Sequence, residues 1–514
     1  MINQNSSEIF QQIKWLLPEA VLFLTTLLIL VFNQKKKNLK KWVALPLLGL
    51  TTALICSVLI QDQQAHQAIP NIFLVDSISL FFKSLLLFIA FIVVLMGWLS
   101  SEIHVNDLTE FYSLILLSTF SMCLLSSSQN FLISFLTYET AGFCFSVLAA
   151  FNRKSFASSD AGIKLFFQGT ICSTFFALGI AMLYGATKSF SILEIHKQLS
   201  LLQVTPLYLW ITFGILFIAI ACRIALFPFY FLFVDVIRGA PAPVSSFLSV
   251  APFVSTVALA FQICFQIFSV RQELQWSPLA SLPWPDFFMG IAAVTMTIGS
   301  FASIYQTNLK QVLAFLCMSQ IGFVLIGFCV MNYHGLATSF FMLAAFSFIM
   351  LGIFFTIHLT TQSSLSLLHY AHAPDNLNSE QQHKVKIDSV ETLNGLILNE
   401  PYAAIVLCFF LLSLVGLPPL IGFIGKFYVF ATIIKSKIYW LAIISAINWV
   451  LSLASCLLLI KRILAFSTPV VRSPLKERVP FYSTLILILF PVITLGIYWD
   501  PLMGFLTRSL EFLR

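Results

Sequence analysis

Charge is what this sequence has least of. Only 10% of its 514 residues are Asp, Glu, Lys or Arg, too few to clothe a water-facing surface of that size. Cysteine is present but unpaired in pattern: ten residues, chiefly inside apolar runs (Cys56, Cys123, Cys144, Cys172, Cys222), with no C-x-x-C. That spacing excludes a disulfide frame and gives no iron-sulfur or zinc motif. Strict apolar/polar alternation is also missing from runs such as "SLLLFIAFIVVLMGWL", which argues against a transmembrane barrel. The formal charge of +7 comes from basic residues scattered one or two per loop, not from a continuous stripe, so nucleic acid is not an expected partner.

What remains is grease. The chain is 59% hydrophobic with a mean hydropathy of +0.94. A helical span needs about 20 apolar residues, and about fourteen fit: 15–32, 42–61, 73–99, 111–128, 130–150, 160–184, 207–229, 241–268, 286–305, 311–331, 335–360, 402–434, 438–465 and 481–499. The expected fold is therefore an all-α polytopic membrane protein, its lipid partner the bilayer, with no room for a separate soluble domain. The start, "MINQNSSEIFQQIKWLLPEA", lacks a basic region, apolar core and cleavage site in that order, so the first span is expected to be retained. Odd-numbered loops hold about sixteen Lys and Arg and even-numbered loops about five, which places the odd loops in the cytoplasm and both termini opposite. Lys35, Lys36, Lys37, Lys40 and Lys41 dominate one end of that count, and Lys461, Arg462, Arg472, Lys476 and Arg478 the other. Polar text interrupts the apolar runs at 61–72, 186–206 and 361–401. His369, His372 and His383 in the longest stretch fit no zinc spacing and read as part of a solvated connector.

Two proline breaks echo one another. "ALFPFYF" (225–231) carries Pro228 in the seventh span, and "GLPPLIGF" (416–423) carries Pro418 and Pro419 in the twelfth. Each follows a long apolar half-helix and precedes a half expected to be shorter. Broken helices at corresponding positions mark repeat-built transporters, and the five-span offset predicts spans four to eight repeated, inverted, as nine to thirteen. The domains expected are thus 1–110, 111–268, 286–466 with the loop 361–401, and 481–514.

Ionisable residues inside spans cost several kcal/mol and by default signal function. Five stand out: Glu139 near the middle of the fifth span, Lys164 in the first turns of the sixth, Arg223 just before the seventh-span break, Asp235 after it, and Lys426 after the twelfth-span break. Lys164 and Asp235 lie near enough to span ends to snorkel, and Arg223 has a fixed ion pair with Glu139 or Asp235 as its bland alternative. Buried lysine and glutamate can both be moved toward neutral pH, so Glu139, Lys164 and Lys426 form a candidate proton relay. At the twelfth-span break the prolines are expected to free carbonyls and admit water that solvates Lys426.

Five ordered stretches, "LTYETAGF" (136–143), "GIKLFFQG" (162–169), "FPFYFLFVDVIRGAPAPVSSFLSV" (227–250), "LKQVLAFLCMSQIGFVLIG" (309–327) and "GLPPLIGFIGKFYVF" (416–430), resemble the antiporter-like membrane subunits of respiratory complex I, in particular the branch called subunit N in bacteria and subunit 2 in organelles. The resemblance covers nearly the whole chain. It implies fourteen helices in two inverted five-helix repeats and proton translocation driven by NADH-to-quinone electron transfer elsewhere in the complex. This chain would bind no cofactor, with NADH, flavin, iron-sulfur clusters and quinone on partner subunits, both membrane and peripheral, in a bacterial inner membrane or its organellar equivalent. Glu139, Lys164 and Lys426 match the family's fifth-, sixth- and twelfth-helix residues, and Arg223 replaces its seventh-helix lysine. The chain departs further at Phe253, where the eighth-helix lysine is expected, at Tyr230 for a histidine, and at Arg238 for an acidic residue. Those departures leave two alternatives: a subunit of a multisubunit sodium/proton antiporter, and a structural subunit whose channel has degenerated.

Overall fold

The computed structural model describes residues 14–32, 43–60, 66–100, 102–201, 205–272, 275–279, 282–370, 389–465 and 478–511. Lys35–Lys37, Lys40, Lys41, Arg472, Lys476, His372 and His383 lie outside them. The structure is an almost entirely helical polytopic membrane protein. Eleven helices among the described residues are long and apolar enough to cross a bilayer, and Leu17–Val31, Ala44–Leu59 and Pro401–Val415 are shorter apolar helices. Helix is the form these runs must take, because in hydrocarbon each backbone group has to find its partner within its own segment.

The amino-terminal part consists of α1 (Leu17–Phe32), α2 (Ala44–Leu59) and α3 (Ser77–Leu99). Between α2 and α3 lies a two-stranded antiparallel hairpin, β1 (His66–Ile69) in the polar stretch and β2 (Phe73–Val75) on residues expected to begin the third span. Asp76 starts that helix instead: its carboxylate accepts from the Ser79 amide at 2.7 Å while Ser79 Oγ accepts from the Asp76 amide, a reciprocal cap that fixes the helix start.

Next come α4 (Leu108–Ser127), α5 (Phe131–Ala149), α6 (Phe156–Thr187) and the short α7 (Ile192–Leu201). The seventh span is two helices, α8 (Pro206–Arg223) and α9 (Tyr230–Gly239), so it runs ten residues past the boundary expected at 229. The eighth is also interrupted. It comprises α10 (Ala242–Leu248) and α11 (Ala251–Phe261), the second with Pro252 in its first turn, and ends in a π-helical turn at Gln262–Ile267. Proline lacks the amide that would continue α10 and suits a new helix start.

After a second hairpin, β3 (Ser269–Gln272) with β4 (Gln275–Pro278), follow α12 (Trp284–Tyr305), α13 (Leu309–Cys329) and the long α14 (Tyr333–Tyr370). The twelfth span divides into α15 (Pro401–Val415) and α16 (Ile421–Lys435). These halves are equal in length, whereas the second was expected to be the shorter. Helices α17 (Tyr439–Leu464), α18 (Arg478–Ile497) and α19 (Asp500–Glu511) close the chain.

The core lies where the breaks are. α10, α11 and α13 are buried almost throughout, whereas α1, α6 and α17 turn many large apolar side chains outward. Helix α14 packs on both halves of the twelfth span and on α10, α13 and α18, so the broken twelfth span and the first half of the eighth share one central rod.

Candidate functional site

Lys426 shows most clearly what a break does. Helix α15 stops at Gly416, in the left-handed region at φ 87°, and its last carbonyls have no amide of their own helix to meet. The chain returns through Pro418 and Pro419, and one turn into α16 the Lys426 ammonium donates to Leu414 O at 2.8 Å and Val415 O at 3.1 Å. Trp449 Nε1 on α17 shares Val415 O, and the ammonium lies 5.2 Å from the Phe323 ring and 5.8 Å from the Trp449 ring. Only 1% of Lys426 is exposed. The freed carbonyls meet the cation directly, as the break was expected to make possible, and the negative end of the α15 dipole supplies the field. No carboxylate pairs with Lys426 among the described residues, so it is held by dipoles and ring faces alone.

At the seventh-span break Arg223 ends α8. Its guanidinium donates to Tyr138 O on α5 at 2.9 Å, lies 3.7 Å from the Tyr138 ring and 5.4 Å from that of Phe145. Tyr138 in turn donates its hydroxyl to Ala219 O at 2.9 Å, back on α8. The fixed ion pair with Glu139 or Asp235, its bland alternative, is absent among the described residues; the planar guanidinium instead stacks, which suits arginine better than lysine. A cavity of about 50 Å³ adjoins it, with Gln168, Cys172 and Phe233 among its walls.

Asp235 on α9 is instead bound to Lys164, 3.0 Å away, and Asp160 lies 2.9 Å from the same ammonium. This triad ties α6 to α9 and is partly open, with the Lys164 side chain 34% exposed. Glu139 sits near the middle of α5, half-buried, with no hydrogen bond or ion pair among the described residues. Phe253 on α11 is fully buried, its ring 5.2 Å from Phe233 on α9 and 6.1 Å from Phe346 on α14.

The structure adds a pair that the sequence reading passed over. Lys83 Nζ on α3 lies 2.6 Å from Glu19 Oε1 on α1, with side-chain exposures of 0% and 3%. Both fall inside runs already assigned as the first and third spans, so the rule applied to Glu139 would have found them.

The profile of a family described as "NADH:quinone oxidoreductase/Mrp antiporter, TM" matches residues 128–452. The chain belongs to that family. The NADH-quinone oxidoreductase subunit N of Bartonella bacilliformis is 30% identical over 453 residues, 86% of each chain. A chain of respiratory complex I from Thermus thermophilus with bound aureothin has the same fold, with a TM-score of 0.73 and 22% identity over 96% of this chain and 99% of that one. A chain of the Mrp complex from Dietzia sp. DQ12-45-1b gives 0.77 and 16%, covering 96% and 97%. Family members with these names are antiporter-like membrane subunits of multisubunit assemblies.

Proposed function

We propose that this chain translocates protons as a membrane subunit of a complex I type NADH:quinone oxidoreductase, while the redox chemistry proceeds on partner subunits. The observation that carries the reading is Lys426: a buried cation at a helix break, held by Leu414 O and Val415 O with no fixed counter-charge among the described residues. Loss of its proton leaves no bare carboxylate behind among the described residues, so both protonation states are tolerable there. Glu139 accepts or yields protons on α5, the Asp160–Lys164–Asp235 triad supplies a partly hydrated group, and Arg223 acts as a fixed positive charge. Residues 111–268 and 286–466 form two inverted repeats, with the seventh-span break in the first corresponding to the twelfth-span break in the second. Both termini face the non-cytoplasmic side of a bacterial inner membrane.

The test is Glu139→Gln and Lys426→Ala in the assembled complex, reading protons pumped per electron. Undiminished pumping in both overturns the reading. A second reading, a structural subunit with a degenerate first channel, draws on the Arg223–Tyr138 stack and on Phe253. It expects Arg223→Lys with Phe253→Lys to raise pumping, and neutralisation of Glu139 to leave it unchanged. Sodium-dependent exchange without NADH oxidation would select the antiporter alternative.

A further inference from the structure

The Glu19–Lys83 pair lies outside both proposed repeats and has no part in the relay above. Its geometry is unlike that of a stabilising staple. The charges touch at 2.6 Å, yet Glu19 Oε1, Glu19 Oε2 and Lys83 Nζ lack an aligned hydrogen bond among the described residues. A buried ion pair repays its desolvation only when its remaining lone pairs and protons are satisfied. These are not.

The pair also stands at the inner end of a polar column. Asp76, Ser79 and Lys83 lie at spacings of three and four along α3, one face of the helix. Opposite them, Cys123 and Ser126 on α4 lead out to Gln129, and Cys123 is within electrostatic range of both Glu19 and Lys83. Where the two faces meet the π-helical turn there is a cavity of about 10 Å³, whose polar walls are Asp76, Ser79, Ser126, Gln129, Gln262 and Gln266. That is room for one water. Gln262 is 3% exposed and spends its amide nitrogen on Leu125 O and Ser126 O, while its Oε1 has no partner among the described residues. An unpaired buried acceptor beside a water-sized polar void favours an occupant that donates hydrogen bonds. At the mouth, burial holds the Asp76 carboxyl above the usual carboxylate range despite its bonds to Ser79 and the charge of Lys83.

We propose that Glu19 and Lys83 are a further proton-exchange site, joined by the α3–α4 polar column to the surface beside the β1–β2 hairpin. In the transfer, an N–H bond at Lys83 Nζ breaks as an O–H bond forms at Glu19 Oε1, giving a neutral amine and a carboxylic acid with no change in net charge. The amine then takes the Asp76 carboxyl proton through the column, Asp76 regains one from solvent at the surface, and the Glu19 acid returns its own proton along the same column to solvent, so the ion pair is restored with one proton taken up and one given back. The inference rests on the proton-translocating reading of the chain.

The experiment uses the complete complex reconstituted in proteoliposomes, with protons pumped per electron read by a pH-sensitive dye. In Glu19→Gln/Lys83→Met both charges go together, so neither is left alone in hydrocarbon. A staple tolerates that change; a proton site does not. The expected result is an assembled complex with a loss of pumped protons per electron, and an unchanged ratio overturns the proposal. If the double variant does not assemble, Asp76→Asn decides. Asparagine keeps the cap to Ser79 and removes only the titrating group, so a loss supports the column and an unchanged ratio overturns it. Lys426→Ala run alongside separates the two ideas: pumping lost there but intact in the column variants defeats this inference alone, whereas pumping intact in every variant defeats the reading on which it rests.

Discussion

At the scale of single residues, the charges here differ in what holds them, and their expected behaviour on substitution differs accordingly. Lys426 is held by two carbonyls, and Lys426→Ala leaves Leu414 O unmet, at about 1–3 kcal/mol, while Val415 O keeps the Trp449 indole N–H. Its melting temperature should fall, which a thermal melt of the purified complex would register, and pumping must be normalised to assembled protein. Asp76 is the opposite case. Its folded-state carboxyl lies above the ordinary value of 3.8 because burial outweighs its partners. The folded chain therefore binds this proton more tightly than the unfolded one, and stability falls as pH rises from about 3.8 through the folded value. Asp76→Asn removes that penalty and keeps the cap, so at pH 7 its melting temperature should equal or exceed wild type, the two converging near pH 3.5. A lower value at pH 7 with convergence absent would refute this. The positions of Glu139, Arg223 and Lys426 were legible in the sequence because each interrupts an apolar run. Their partners were not, since Tyr138 O and Leu414 O are backbone atoms brought near only by packing. The Arg223 stack on Tyr138 and the Lys83 contact with Glu19 likewise join residues far apart in the chain.

At the scale of elements, span positions followed from hydropathy because the bilayer allows so few alternatives. Breaks were legible only where proline was conspicuous. Pro418 and Pro419 marked the α15–α16 break, but Pro252 inside "SVAPFVSTVA" is an equal signal, and the eighth span was nonetheless expected to be continuous. The π-helical turn that follows carries no sequence mark of its own. Close passage of the α15 and α16 halves shows in Gly422, where an added Cβ would fall on the Ser413 carbonyl. The same methyl at Gly504 on α19 meets open space. Gly422→Ala should therefore cost about 1–3 kcal/mol by overpacking, moving α16 and with it the Lys426 ammonium. Gly504→Ala should be neutral or stabilising by up to about 1 kcal/mol, as glycine-to-alanine changes in helices are. Paired thermal melts check both, and equal melting temperatures would mean that the half-helices can part freely.

At the scale of the whole molecule, the outer face of α5 carries an imbalance. Leu132, Leu136, Phe143 and Val147 are exposed along it, as lipid contact or a subunit interface requires, yet the half-buried Glu139 shares that helix without a hydrogen bond or ion pair among the described residues. An ionised carboxylate near the middle of a span costs roughly 2.5–3.5 kcal/mol on insertion scales, so the isolated chain carries a penalty that an assembly can relieve by covering α5 with a polar or basic surface. The two states should then respond to Glu139→Gln with opposite signs. In the isolated chain in lipid, the substitution removes the penalty and should raise the melting temperature. In the assembled complex, it removes the proton acceptor proposed on α5 and a charge that a neighbour would satisfy, so pumping per electron should fall and the melting temperature should not rise. Melts of both forms, with pumping measured on the complex, are sufficient. A stabilisation of equal size in both would show that Glu139 faces lipid even after assembly, and its place in the relay would then be lost.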